Sequence, residues 1–545
     1  MHPSRSFPRS VILLALLLGM LACNLPLETR YDNSSNTARP TPPVRPTQPV
    51  VGATTTLLQP EPSSPTPLIP TVTPAPAYRP VFEPSGCAFA IPAGANPQCG
   101  YLLVPENRAR PGSPTIRLAV AIFPSRSASP APDPVIYLSG GPGSSALELA
   151  GYMFRQGLDP LLETRDLIFF DQRGTGYSEP VLDCPERQQE AGRLLAGGLS
   201  ASEKEQVIVD AFQRCRDRLS AGGIDLTAYT SAAIAADVDD LRRALGYAQV
   251  NLYGVSYGTR LALTVMRDFP RLVRSVVLDS TLPPQVNLYT SLAPNAERAF
   301  DVLFDRCAAN ASCGAAYPDL KTVFYDLVDR LNADPLPVIV RSGGVDFEVL
   351  VDGGLLVDVL FVGLYNPPVI ATMPQMIYNM NQGDPSILQE RLGLYFDPST
   401  ALGMQMSVIC AEELPFGSPE EAFSLAEGLQ PQIAGFFPGS IQPLFAVCQM
   451  WGAAAPDPRE NQAVSSDIPT LILAGEFDPV TPPDWGRMAA ASLTRSYFYE
   501  FPANGHWVTR SSPCALSMMF AFLEDPGQAP RDGCITEIGE LDFQR

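Results

Sequence analysis

Histidine is almost missing from this chain: 545 residues contain two. One of them, His2, sits in the N-terminal leader, so imidazole chemistry in the rest of the chain must use His506. No Cys-x-x-Cys metal pair occurs, and one imidazole leaves few nitrogen ligands for zinc. No metal and no organic cofactor are expected. Positive charge is also short, with 37 Lys plus Arg against 57 Asp plus Glu and a formal charge of −20. So acidic a surface repels phosphate backbones, which excludes nucleic acid as the expected partner. Beyond the leader no run reads as long and apolar enough to cross a bilayer, which takes about 20 residues. Internal repeats and heptads are absent too, which excludes solenoids and coiled coils. Apolar material is not scarce: 46% of residues are hydrophobic and 17% charged, enough for a large core and against global disorder. The length exceeds what one ordinary core fills, about 300 residues, so more than one segment is expected.

The leader carries Arg5 and Arg9, an apolar run from Val11 to Leu18, then Gly19, Met20, Leu21, Ala22 and Cys23. A basic start, a short apolar stretch and a small residue before the cut describe a secretory signal over residues 1–22. The segment resembles the lipobox of bacterial lipoproteins, with Met20 where Leu is usual, Ala22 before the cut and Cys23 as the lipidated residue. That resemblance implies a stable anchor to the membrane through more than one acyl chain. Simple secretion is the alternative. Residues 23–84 are rich in Pro, Thr and Ser, as in Arg39 to Pro43 and Ser64 to Pro67. Proline removes backbone donors and fixes φ, so this stretch reads as a semi-extended tether without helix or sheet. Eleven cysteines are present, and with Cys23 set aside an even number remains. They fall in sequence-local pairs: Cys87 with Cys99, Cys184 with Cys215, Cys307 with Cys313, Cys410 with Cys448, and Cys514 with Cys534. These are expected as disulfides in an oxidising compartment.

From residue 85 the composition is that of a packed domain. Short apolar runs at Ile116–Ile122, Pro134–Leu138, Leu167–Phe170, Val250–Tyr253, Ser275–Leu278, Thr470–Ala474 and Tyr497–Phe501 read as strands. Separated by helical stretches, they predict a mostly parallel α/β sheet with helices on both faces. Helices are predicted from Ala233 to Leu245, where Asp237, Asp239 and Asp240 precede Arg242 and Arg243 as a helix dipole favours, and from Tyr257 to Phe269. The βα rhythm breaks between residues 283 and 468, where helices from Ala296 to Ala309 and Leu320 to Leu331 predict a helical cap. The core is thus expected in two parts, residues 85–282 and 469–545.

Four motifs carry chemistry, each at the end of a predicted strand. Gly254-Val-Ser-Tyr-Gly258 lies between a strand and a helix, where Ser256 would sit on a sharp turn with its Oγ exposed. Ser139-Gly-Gly-Pro-Gly143 offers backbone N–H groups; Gly141, with Tyr257 after the nucleophile, would form an oxyanion hole. Gly475-Glu-Phe-Asp-Pro479 supplies Asp478, with Glu476 as a spare carboxylate. Asn504-Gly-His-Trp507 supplies His506. The chain order Ser256, Asp478, His506 is that of α/β-hydrolases. Asp478 would orient the imidazole that activates Ser256.

With Gly140-Gly-Pro-Gly143, Asp171-Gln-Arg-Gly-Thr-Gly-Tyr-Ser178, the Ser256 and Asp478 motifs and Gly505-His506, the chain resembles the α/β-hydrolase exopeptidases of peptidase family S33, the proline iminopeptidase and tripeptidyl aminopeptidase group. The resemblance runs from Cys87 to Cys534. Ser139 stands where proline iminopeptidases usually carry His, and the cysteine-rich C-terminal region looks closer to the tripeptidyl aminopeptidases. The resemblance implies an α/β-hydrolase fold with an inserted cap. It implies an extracytoplasmic serine aminopeptidase working through an acyl-enzyme on peptides with a free N-terminus. It also implies carboxylates near the cap that bind the substrate's α-amino group, for which Glu412 and Glu413 are the candidates. Arg173 is expected to brace its own loop. A monomer is expected. A carboxylesterase or lipase of the same fold is the nearest alternative, and a non-catalytic solute-binding lipoprotein the alternative from another class.

Overall fold

The chain opens, where the computed structural model describes it, on three antiparallel strands: β1 (Val81–Pro84), β2 (Gln98–Pro105) and β3 (Thr115–Phe123). The described residues are 78–342, 345–392 and 400–544. The leader, Cys23 and all but the last residues of the tether lie outside them. Next come β4 (Val135–Leu138), β5 (Leu167–Phe170), β6 (Val250–Val255) and β7 (Val273–Asp279). A separate hairpin pairs β8 (Leu336–Ser342) with β9 (Val345–Val351), and the main sheet is completed by β10 (Thr470–Gly475) and β11 (Ser496–Phe501). The main sheet has nine strands in the order β1-β2-β3-β5-β4-β6-β7-β10-β11. From β5 to β11 all pairings are parallel.

The parallel strands β4, β5, β6, β7 and β10 are buried at nearly every position because both faces are covered, while β11 at the sheet edge is mostly half-buried. In β4, Val135 and Tyr137 pack into one apolar cluster with Phe169, Tyr253 and Phe522, while Ile136 and Leu138 pack into another with Leu252 and Val276. Alternation thus splits each strand between two cores. The covering helices include α1 (Ala146–Met153), α2 (Ala201–Ala221), α3 (Ser231–Leu245) and α4 (Tyr257–Asp268). Between β7 and β10 lie α5 (Leu292–Ala309), α6 (Leu402–Glu412) and α7 (Pro431–Trp451), and α8 (Val508–Ser511) follows β11.

All five sequence-local cysteine pairs are disulfides. Cys87 is bound to Cys99 of β2, which ties the stretch after β1 to the sheet. Cys184 is bound to Cys215 of α2, and Cys307 of α5 to Cys313 six residues on. Cys410 of α6 is bound to Cys448 of α7, and Cys514 to Cys534 near the C-terminus.

Several sequence expectations are corrected. The tether ends earlier than residue 84, because Val81–Pro84 pairs with Gly100–Leu103 as an outer strand. Proline is tolerated there since an edge strand needs only one row of its donors. The segment between β7 and β10 is not purely helical, as it contains the β8–β9 hairpin. α7 is long and apolar enough to cross a membrane by length and composition. It is nonetheless a packing helix: Phe436, Phe437 and Trp451 are buried, and Cys448 is bound to Cys410. Finally, α3 starts at Ser231, capped by the Thr230 hydroxyl, so Asp237, Asp239 and Asp240 sit beyond its first turn. Asp237 and Asp240 serve as ion-pair partners for arginines.

Candidate active site

Every motif lies at the C-terminal end of a parallel strand, the edge where open α/β sheets place their sites. Ser256 follows β6 with φ 57° and ψ −126°, a left-handed conformation that a non-glycine residue holds only under constraint. The flanking glycines are steric necessities. A Cβ on Gly254 would collide with the Gly258 carbonyl, and one on Gly258 with the Leu138 carbonyl at the end of β4. The Ser256 side chain therefore stands at the N-terminus of α4, where the helix dipole favours negative charge. Its backbone N–H donates to the Asp279 carbonyl at 3.0 Å.

The glycine loop after β4 abuts this elbow. A Cβ on Gly140 would lie 3.0 Å from that of Ser256. Gly141, at φ 109°, and Tyr257 line one cavity with Ser256. Tyr257 is the first residue of α4, so its N–H has no acceptor within the helix. The Asp171 box supports the loop from behind. Gln172 donates its amide to the Ser139 carbonyl at 3.0 Å. Asp171 accepts from the Ser145 hydroxyl at 2.9 Å, Leu147 N–H at 3.0 Å and Tyr177 N–H at 2.7 Å, which fixes the start of α1. Burial pushes its carboxyl up to about 7 against these bonds. Arg173 does more than brace its own loop. It pairs with Asp237 of α3 and donates to the carbonyls of Glu106 and Ala228, tying the loop to distant segments.

Asp478 and His506 meet across adjacent loops, which Gly475 allows by close approach to the Gly505 carbonyl, while Gly505 packs against the backbone of Leu364 and Tyr365. Asp478 Oδ2 lies 2.8 Å from His506 Nδ1. Asp478 also accepts from the N–H groups of Val480 and Thr481 at 2.9 Å and the Thr481 hydroxyl at 2.7 Å. Burial alone would raise this carboxyl. The facing imidazole and the Thr481 donors outweigh it and hold the group below the usual carboxylate range. The His506 ring packs against Tyr365, with centroids 4.7 Å apart. Tyr365 and Thr481, both in contact with His506, line the same cavity as Ser256. Glu476 is no spare partner for the imidazole: it accepts from Ala503 N–H at 2.9 Å and pairs with Arg306. Arg298 of α5 donates to the carbonyls of Glu476 and Asp478, holding the Asp478 loop from the inserted segment.

Glu412 and Glu413 are both buried, but they face different ways. Glu412 ends α6 and accepts from the Ser231 N–H and hydroxyl at 2.5 Å. Burial and the nearby Glu460 push it up to about 7. Glu413 pairs with Arg260 of α4, accepts from Leu288 N–H and forms part of the cavity wall. Burial raises it as well, with Arg260 opposing. The rest of that wall is mainly apolar, including Leu282, Leu288, Leu292, Phe361 and Val480. Arg260, Tyr365, Thr481 and Asp279 are not legible in the sequence as site residues. Only Asp279 carries a signal, since it ends an apolar strand as the motif residues do.

The strand order, the crossover helices and this cluster of loops define an α/β-hydrolase fold. A family model described as alpha/beta hydrolase fold matches residues 133–310, and one described as TAP-like protein matches residues 437–534. The chain is similar to Serine protease Hip1 of Mycobacterium tuberculosis, at 26% identity over 471 residues, 79% of this chain and 86% of that protein. It is similar to Tripeptidyl aminopeptidase of Streptomyces lividans at 33% identity over 195 residues, 34% of this chain and 36% of that one. Carboxylesterase B of Mycobacterium tuberculosis is 31% identical over 256 residues, 45% of this chain and 47% of that protein. The chain therefore joins an α/β-hydrolase fold region to a TAP-like C-terminal region, and its relatives are hydrolases that include named peptidases.

Proposed function

We propose that this protein is a serine aminopeptidase that cleaves peptides from a free N-terminus, working outside the cytoplasm and held to the membrane through a lipid on Cys23. Ser256 Oγ bonds to the scissile carbonyl carbon while His506 takes its proton. The oxyanion is held by the N–H groups of Gly141 and Tyr257. His506 then passes the proton to the leaving amine as the C–N bond breaks, leaving an acyl-Ser256 ester. Water attacks this ester, with His506 as base, and releases the acyl product. Asp478 keeps the imidazole oriented and stabilises its cation.

The observation that carries the peptidase reading is Glu413, a buried carboxylate in the wall of a mainly apolar cavity that also holds Ser256. A buried ammonium needs such a partner to offset its desolvation. Arg260 is the cation beside both Glu412 and Glu413, so with both ionised the pair can take a second cation. Glu413 is the better candidate than Glu412, because Glu413 lines the cavity that holds Ser256 while Glu412 turns to Ser231. The sequence-local disulfides and the peptidase relatives support an oxidising compartment. The carboxylesterase relative keeps an esterase as the second reading.

The test uses the full chain and its Ser256→Ala variant on chromogenic peptides of one to three residues, with free or blocked N-termini, and on a short-chain ester. Serine-dependent cleavage of the free-amine peptides alone is expected. Cleavage of the ester with no action on peptides would move the protein to the esterases and remove the role given to Glu413.

A further inference from the structure

Among the described residues, five non-glycine positions have positive φ: Ser256, Ser280, Asp319, Ala503 and Trp507. Three of them, Ser256, Ser280 and Trp507, meet at the end of β7. Strained conformations persist only where the surroundings over-determine them, and here the surroundings converge on Asp279. Its backbone carbonyl accepts from Ser256 N–H at 3.0 Å. Its carboxylate accepts from Val508 N–H at 2.8 Å, Thr509 N–H at 2.9 Å and the Thr509 hydroxyl at 2.6 Å. The next residue, Ser280, accepts from Trp507 N–H at 2.8 Å. The three residues that follow His506 are therefore pinned to the end of β7, and the nucleophile is pinned to the same place.

We propose that Asp279 is a positioning residue that keeps the nucleophile and the imidazole in register, its carbonyl fixing the Ser256 backbone and its carboxylate fixing the loop just after His506. The Asp478 side chain orients the ring, but it does not hold the backbone from which the ring projects. Without the second anchor the His506 loop could shift while its bond to Asp478 survived. A misplacement of 1 Å between reacting groups costs about a hundredfold in rate. Asp279 is fully buried, which raises its carboxyl, while Val508 and Thr509 donate to the ionised, acceptor-only form and oppose that rise. Among the described residues two titratable groups face it. Tyr253 is kept protonated by burial, and His506 acts on Asp279 through its charge. His506 faces Asp478 and Asp279, with Arg298 behind Asp478 on its carbonyl. Asp279 is therefore also a second negative charge for the imidazolium.

The inference rests on the serine-hydrolase reading, and the experiment separates the two. In the full chain carrying His2→Gln, one imidazole remains, so its titration can be read without assignment. Ser256 is labelled with a fluorophosphonate, and kcat, KM and the pH profile are measured on a cleaved peptide or ester. Asp279→Asn keeps the shape, removes the charge and turns an amide donor toward backbone donors. It is expected to slow labelling and kcat by about thirtyfold or more with KM within about twofold. It is also expected to move the imidazole titration and the acidic limb to lower pH, because loss of a nearby anion destabilises the cation. Thr509→Val removes one anchor and leaves the charge. It is expected to slow labelling by about three- to tenfold without moving the acidic limb. Both variants within twofold of wild type with an unmoved limb would overturn the inference. Should Asp279→Asn fail to fold, an unchanged rate in Thr509→Val overturns it alone. A wild-type chain that does not label fails at the reaction itself and takes the inference with it. A wild type that labels while a folded Asp279→Asn labels equally fast fails the inference only.

Discussion

Gly140→Ala places one methyl group against Ser256, the proposed nucleophile. Gly140 has no left-handed φ, so alanine fits its backbone and any effect comes from contact alone. The new Cβ would sit 3.0 Å from Ser256 Cβ and from the Val255 carbonyl oxygen, and 3.6 Å from Ser256 Oγ. Ordinary contact begins at 3.4 Å, so the neighbours must yield by about 0.4 Å. The neighbours are a strand end and a strained elbow, neither of which has a flexible tip to move aside. Overpacking of this kind costs about 1–3 kcal/mol, which the fold should survive. At about a hundredfold per ångström of misplacement, 0.4 Å is worth about sixfold in kcat. The extra methyl beside Oγ adds to that, so a loss of about five- to twentyfold in kcat is expected. The assay is fluorophosphonate labelling together with peptide or ester turnover, alongside a thermal melt. Gly435→Ala in α7, where a Cβ meets nothing within 4 Å, is the control. It should leave turnover unchanged and gain a few tenths to about 1 kcal/mol of stability. A Gly140→Ala protein with wild-type labelling rate, turnover and melting would show that the loop does not abut the nucleophile as described.

Arg260→Met leaves Glu413 buried without its cation and should destabilise the fold by about 3–5 kcal/mol in chemical denaturation. Replacing both Cys410 and Cys448 with serine opens a bridge of sequence separation 38 and should cost about 3–4 kcal/mol by the same measurement. Asp171 titrates at about 7 in the fold, so the folded chain keeps a proton that the unfolded chain has released from about pH 4 upward. Its stabilising contribution is present at low pH and lost as pH rises through about 7. Urea midpoints from pH 5 to pH 8 should therefore show the gap between wild type and Asp171→Asn narrowing as pH rises, and a gap that widens would contradict the burial described.

The residues proposed to touch the reaction stand out in the sequence because the chemistry restricts them. An elbow serine needs glycines on both sides, and only one histidine is available to serve it. Each such residue also closes a short apolar run, so motif and fold support one another. What escapes reading depends on contacts far apart in sequence. Nothing local to Glu412 or Glu413 says that one faces Ser231 and the other Arg260 and the cavity; the end of α6 between them decides it. Asp237 looks like a dipole residue as long as α3 is started at Ala233 rather than Ser231, and its real partner, Arg173, lies 64 positions away. β1 is hidden by Pro84 and by Pro80 just before it, since the penalty of proline in a central strand does not apply at an edge.

The five disulfides are consecutive along the chain: each closes before the first cysteine of the next appears. For a polypeptide emerging N-terminus first, this arrangement makes oxidation a sequential process. Each new thiol finds its partner as the nearest unpaired one already outside, and the widest wait is 38 residues. The covalent framework can be complete while the acid and histidine loops, which must find a serine more than two hundred residues earlier, are still settling into place.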